Sequence, residues 1–287
     1  MTLGHVRVWL AGSLVFAAGS GCFRDLAGPD FQPFCAIESS SSIVAFEDAI
    51  LAAEIRDDLS VGPQDPLICG LVETLTTLSA ASAGIVSLSG IENLTGLTTL
   101  QIRDNAIADI SPLSRLTGLT SLNLAANSIT DVSALSGLTN LTFLAINLNQ
   151  TISDISALSG LTNLTGTLWI YNNAITDIGP LSGLTNLTAL NAWDNSITDL
   201  SALSGLTSLT ALRVSMNSIT NLGDLSGLTN LELVSLHTNP DLSDIQTLLD
   251  NPGLGPGDAV QLKNTSVNCT DVDALRAKIG DVISDCP

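Results

Sequence analysis

The sequence predicts one elongated solenoid: a right-handed α/β-type superhelix with a parallel β-sheet on its concave side and short turns or 3₁₀ segments on its convex side. Two observations carry this. The phrase LSGLTNLTxLxLxxNxITDIxx recurs along the chain, with its clearest copies between Leu113 and Leu236. Its marker asparagines, Asn105, Asn127, Asn149, Asn173, Asn195, Asn217 and Asn239, stand 22, 22, 24, 22, 22 and 22 residues apart. A fixed period of this size means stacked coils, about eight of them here.

Residues 203–224, LSGLTSLTALRVSMNSITNLGD, show how one coil is built. Leu212-Arg213-Val214 alternates apolar, polar, apolar, the period of a strand. Leu203, Leu206, Leu209, Ile219 and Leu222 complete the apolar set. The remainder is too short and too rich in Thr, Ser and Gly for a regular helix. The return path is therefore turns or 3₁₀ segments, and it supplies the crossover that parallel pairing requires. The asparagine falls where the strand turns away, and its carboxamide can bond inward-facing backbone that no strand reaches. Two coils carry one extra residue, near Gln150–Thr151 and at Gly166, and the coil of Asn239 repeats the first insertion at Pro240–Asp241.

These residues are those of a leucine-rich repeat solenoid. The copies at 181–202 and 116–134 resemble the 22-residue class of internalin-like bacterial surface proteins. The resemblance runs from about residue 69 to 247, with Ala83 replacing the first asparagine and Ala192 a core leucine. Residues 46–59 look like the amphipathic cap helix that precedes such arrays, and residues 250–269 like their terminal segment. The expected organisation is a leader at 1–21, a tether at 22–43, an N-terminal helical cap at 44–68, repeats at 69–247 and a C-terminal cap with a short helix at 248–287.

The leader reads as a secretory signal. His5 and Arg7 open it, Val8–Ala18 is mostly apolar, and Gly19-Ser20-Gly21 precedes Cys22. Such a segment is too short to span a membrane. A cysteine after small residues resembles a bacterial lipoprotein cleavage box, although Gly19 stands where a leucine-like residue is usual; the resemblance implies lipidation at Cys22, with ordinary secretion as the alternative. Phe23 after it implies the outer membrane in a host that has one. Five cysteines are odd in number, and setting Cys22 aside leaves two beside each end of the array. Cys269 and Cys286 bracket a short helix, Asp271 to Ile279, expected to begin on a Thr270 cap with Asp273 as box partner and to stop at Gly280; a bridge is expected between them. Cys35 and Cys69 either form a second bridge or leave Cys69 as a small buried hydrophobe at a coil's leading leucine position.

A net charge of −19 and a pI near 4.1 oppose binding to nucleic acid or an anionic membrane surface. With 13% charged residues, the surface is mostly hydroxyls and amides. Side chains beside and between the strand leucines face the concave side. Residues 69–247 contain four aromatics, Phe143, Trp169, Tyr171 and Trp193, and all four fall at these variable positions in three adjacent coils. The repeat demands none of them, so they are the candidate ligand-binding residues, together with Arg103, Arg213 and His237. The simpler alternative is that the rings only shield backbone.

Catalysis is poorly supplied. His237 is the one histidine after the leader; Ser215 and Ser235 are near it in register, but no carboxylate is placed to orient the ring. Metal-ligand spacing of His and Cys is absent, and no cofactor motif occurs. Asp109, Asp131, Asp154, Asp177, Asp199 and Asp244 recur after Ile-Thr or its equivalent; they fit turn caps better than a calcium ladder. The expected role is non-enzymatic binding of a partner protein, with a carbohydrate ligand or a purely structural envelope role as alternatives.

Overall fold

The computed structural model describes Cys35 and residues 39–287. The leader and the expected lipidation site Cys22 lie outside these residues. Ten short strands, in sequence order, make one open parallel sheet. They are Thr77–Ser79 (β1), Thr99–Gln101 (β2), Ser121–Asn123 (β3), Phe143–Ala145 (β4), Gly166–Trp169 (β5), Leu187–Asn191 (β6), Ala211–Arg213 (β7), Leu233–Ser235 (β8), Ala259–Gln261 (β9) and Asp281–Ile283 (β10). The return paths are 3₁₀ turns such as Ser111–Arg115, Ser156–Gly160 and Gly179–Gly183. The leucine-rich repeat solenoid read from the period is thus the observed architecture.

Register follows the repeat. Leu100, Leu122 and Leu144 stand opposite one another, as do Leu190, Leu212, Val234 and Val260. Leu100, Leu122, Leu144, Leu190, Leu212 and Val234 have no exposed surface. Each such side chain contributes about 1.5–3 kcal/mol by leaving water, but only because the next coil covers it.

The marker asparagines form the ladder expected of them. Asn195 Nδ2 donates to Ala192 O in its own coil and Ile170 O in the preceding one, both at 3.1 Å. Its Oδ1 accepts Ile175 N–H at 3.0 Å. Asn127, Asn149, Asn217 and Asn239 repeat this pattern, each taking an isoleucine N–H 20 residues earlier. To aim inward, the asparagine follows a residue in the left-handed region: Asp104, Ala126, Leu148, Asn172, Asp194, Met216 and Thr238 have φ between 53° and 61°. The 24-residue coil breaks the ladder once. Its extra residue separates Asn149 from Ile152 by three positions, not two, and Thr151 N–H turns back to Asn149 O at 2.8 Å. Asn173 keeps its donor bonds, but its buried Oδ1 has no hydrogen-bond partner. The second extra residue, Gly166, takes φ 64° at a shift in strand register. That conformation costs a side chain energy and glycine nothing.

On the convex side the recurring aspartates cap turns. Oδ1 of Asp109, Asp131, Asp154, Asp177, Asp199 and Asp244 accepts the N–H two residues on, at 2.7–2.8 Å. The Ser133 and Ser156 N–H groups hold Asp131 and Asp154 below the ordinary carboxylate pKa; for Asp199 the Ser201 hydroxyl does most of this.

The helix Ala49–Asp58 (α1) covers the first coil, burying Leu51 and Ile55. Asp48 fastens it. One carboxylate oxygen accepts Ile50 and Leu51 N–H, capping α1, and the other accepts Val86 and Ser87 N–H of the first coil. Burial alone raises its pKa, but the four N–H donors outweigh this and hold it below the ordinary value. A bridge joins Cys35 to Cys69, whose Cα atoms are 5.2 Å apart; Cys69 is both bridged and buried. At the other end, Gln246–Asp250 (α3, after a short α2 at Cys69–Val72) and Cys269–Ile279 (α4) flank β9. Cys269 and Cys286 are bridged, with Cα atoms 5.5 Å apart.

Two expectations need correction here. The cap of α4 is Asn268 rather than Thr270: Asn268 Oδ1 accepts Asp271 N–H and its Nδ2 donates to Asp271 Oδ2. Starting at Cys269 leaves Asp273 free to pair with Arg276 at 2.8 Å. The C-terminal segment is also more than a helix, since it extends the sheet by β9 and β10. Lys278 Nζ closes its fold by donating to the carbonyls of Leu248, Leu249 and Asn251.

Two outcomes follow. Asn195→Ala lowers stability by about 1–3 kcal/mol, because buried backbone groups of two coils lose their partner. Asn173→Ala costs less, since its Oδ1 served no donor; equal losses in urea denaturation would contradict the ladder as described. Asp48→Ala lowers stability by about 1–3 kcal/mol at pH 7. The folded-state pKa of Asp48 is depressed, so its contribution is present above the unfolded-chain value of 3.8 and is lost as pH falls through the lower folded value. The gap between wild type and Asp48→Ala therefore narrows on acidification; a gap independent of pH would contradict this.

Candidate ligand-binding trough

On the sheet's concave face, strand residues two apart point the same way, and residues one coil apart stand side by side. Trp169 ends β5, and Tyr171 lies two residues on, past the buried Ile170. Their ring centroids are 6.1 Å apart in an edge-on contact, with planes at 63°. Trp193 occupies in the next coil the place of Tyr171. Strand spacing therefore brings the two rings into a stack, 4.7 Å between centroids and 12° between planes. These contacts contribute about 0.5–1.5 kcal/mol each beyond area burial. The three rings form a ridge across the face, and all are half-buried.

A cavity opens on each side of this ridge. The first, about 360 Å³, is lined by Phe143, Trp169 and Tyr171 with Ala125, Ala145 and Leu148, and Arg103 and Asp104 stand at its rim. Phe143 begins β4 and faces the ridge across this space. The second, about 280 Å³, is lined by Trp193, Arg213, Ser215, Met216, Leu233, Ser235, His237 and Gln261. All seven residues expected on the binding face thus line the trough, in two groups: Arg103, Phe143, Trp169 and Tyr171 in one cavity, and Trp193, Arg213 and His237 in the other.

Sequence reasoning missed four lining residues, Asp104, Ala126 and Leu148 of the first cavity and Gln261 of the second. Leu148 is 37% exposed at the left-handed position before its asparagine. A large apolar residue there, shared only with Met216 among Asp104, Ala126, Asn172, Asp194, Met216 and Thr238, was the available signal. Gln261 lies in β9, where the spacing from Val234 to Val260 leaves the 22-residue period. Met216, 43% exposed, closes one side of the second cavity.

The polar groups of the second cavity do not form a nucleophile and base. Ser215 and Ser235 hydroxyls bond each other at 2.8 Å, and Ser235 donates to Gln261 Oε1 at 2.7 Å. His237 Nδ1 lies 3.3 Å from Thr238 Oγ1. Among the described residues no group of three His, Cys, Asp or Glu side chains could hold a metal ion, and no helix is long and apolar enough to cross a membrane. Asn191, in register between Trp169 and Arg213, is 6% exposed, and its Oδ1 has no hydrogen-bond partner.

Residues 117–160, 167–206 and 185–226 match the family model for leucine-rich repeats in two copies. Internalin C2 of Listeria monocytogenes is 34% identical, with 77% of this chain and 92% of that one covered and a TM-score of 0.68. The functional domain of InlJ from the same organism, which includes a cysteine ladder, is 27% identical over 83% of this chain and 60% of its own, with a TM-score of 0.54. A leucine-rich repeat protein of Leptospira interrogans shares the fold at 19% identity, with 75% of this chain and 50% of that one covered and a TM-score of 0.55. Comparison with curated protein sequences finds no match.

Proposed function

We propose that this chain, which belongs to the internalin-like leucine-rich repeat proteins, is an exported, lipid-anchored, non-enzymatic module that binds a partner protein in its aromatic trough. One observation carries the reading: every aromatic residue of the repeats lies in that trough, half-exposed, where the repeat itself asks for none. Large rigid rings with a polar tip bury much area at little entropic cost, which is why they anchor protein interfaces. Arg103 and Arg213 sit at either side of the ridge and would set charge and register. The two disulfides support an oxidising compartment outside the cytoplasm. In this reading residues 1–21 are the leader, Cys22 carries the lipid and residues 22–43 are the tether.

Two features favour a protein over a carbohydrate. Tyr171 and Trp193 already stack on each other, so one face of each is unavailable to a sugar ring. Of the asparagines that would bond sugar hydroxyls, Asn147 and Asn191 are buried and Asn123 Oδ1 accepts Ala125 N–H.

The test is capture of surface and secreted proteins from the native environment by immobilised protein. Replacing both Trp169 and Trp193 by Ala weakens the captured interaction by about 2–4 kcal/mol, while the array still unfolds in one cooperative transition, its stability lowered by about 1–3 kcal/mol through loss of the two ring contacts. Capture that survives both the double substitution and protease treatment of the target would contradict protein binding through the trough. Anchoring is tested separately. Cys22→Ala moves the protein from the membrane fraction to the soluble one, and an unchanged distribution would contradict lipidation at that residue.

A further inference from the structure

The second cavity has an electrostatic character that the chain as a whole does not. The protein has 28 Asp and Glu against nine Lys and Arg, yet no carboxylate lines this space. Arg213 and His237 stand in it. Three cations elsewhere are occupied: Arg56 donates to Ala52 O and Asp65 O, Arg276 pairs with Asp273, and Lys278 caps three carbonyls. Arg213 has no such partner among the described residues. The hydroxyl chain from Ser215 through Ser235 ends on Gln261 Oε1, which fixes the amide and leaves its NH₂ as a donor. A guanidinium, an imidazole and a carboxamide therefore line one cavity with Trp193, and no carboxylate is among its lining residues.

We propose that this cavity is a carboxylate subsite, filled by an aspartate or glutamate of an extended partner segment. The same segment would seat an apolar side chain in the first cavity, across the ridge. This deepens the protein-binding reading and rests on it. Charge complementarity selects the occupant. A planar guanidinium with free donors is suited to bidentate pairing with carboxylate; Arg103 at the first cavity has Asp104 beside it, whereas no carboxylate lines the cavity of Arg213. The cavities centre near β4 and β8, about 15–20 Å apart at about 4.8 Å per strand. Extended chain spans that distance in about five or six residues. The expected segment thus carries an apolar residue and an acidic one at that spacing.

The experiment is selection of a random twelve-residue peptide library on the purified protein. Wild type is expected to enrich peptides with an aromatic or large aliphatic residue five or six positions from Asp or Glu. Arg213→Gln is expected to lose the acidic preference and keep the apolar one; the Trp169→Ala, Trp193→Ala double variant is expected to lose both. Trp169 and Trp193 are the only tryptophans after the leader, so fluorescence titration reads the ridge directly. A selected peptide should bind at least about tenfold more tightly than its Glu→Gln form, and Arg213→Gln should abolish that ratio. Peptides enriched in apolar residues without an acid would overturn the subsite while leaving trough binding intact. Failure to enrich any peptide, with glucuronate oligosaccharides shifting the tryptophan emission in an Arg213-dependent way, would overturn the partner segment in favour of an acidic glycan.

Discussion

Everything in this molecule depends on holding parallel coils in register without a regular helix to space them. A coil of 22 residues leaves backbone carbonyls and N–H groups pointing inward that neither strand nor turn can pair. The asparagine carboxamide supplies both missing functions at once: a donor to its own coil and the one before, and an acceptor for the preceding coil's isoleucine. With these groups satisfied, the leucine columns can close without water. Where the period slips to 24, the same side chain is left with an orphaned acceptor, which shows how closely the bond depends on coil length.

The same register creates the trough. A side chain on the concave face has two neighbours fixed by strand spacing and two by the pleat. Placing Trp169, Tyr171 and Trp193 at adjoining grid points is enough to assemble a ridge, with no dedicated loop. The small residues Ala125 and Ala145 on one side, and Ser215 and Ser235 on the other, leave the space that becomes the two cavities. Six of the acidic residues serve as turn caps on the convex side; Asp104 stands at the rim of the first cavity, and no carboxylate lines the second.

Much of this was legible in the sequence because a solenoid maps sequence position directly onto surface position. The period located the strands, the alternation around each asparagine sorted inward from outward side chains, and the extra residues at Gln150 and Gly166 marked the irregular coil. Legibility failed where the period failed. β9 and β10 follow spacings of their own, so their membership of the sheet, and with it the place of Gln261 in the second cavity, was hidden. The α4 cap was misplaced by two residues because Thr270 and Asn268 are both competent caps, and Asn268 is the one whose Oδ1 takes the Asp271 N–H. The stacking of Tyr171 on Trp193 was implied by one-coil spacing, but its near-parallel planes depend on packing that no pattern expresses.

The central claim is that the ridge is the recognition surface, and collisional quenching of tryptophan fluorescence addresses it most directly. In the free protein acrylamide should quench both Trp169 and Trp193, as half-buried rings on an open face allow. With partner bound, both indoles should become shielded. A partner that binds while quenching stays unchanged would place recognition elsewhere on the solenoid and contradict the account.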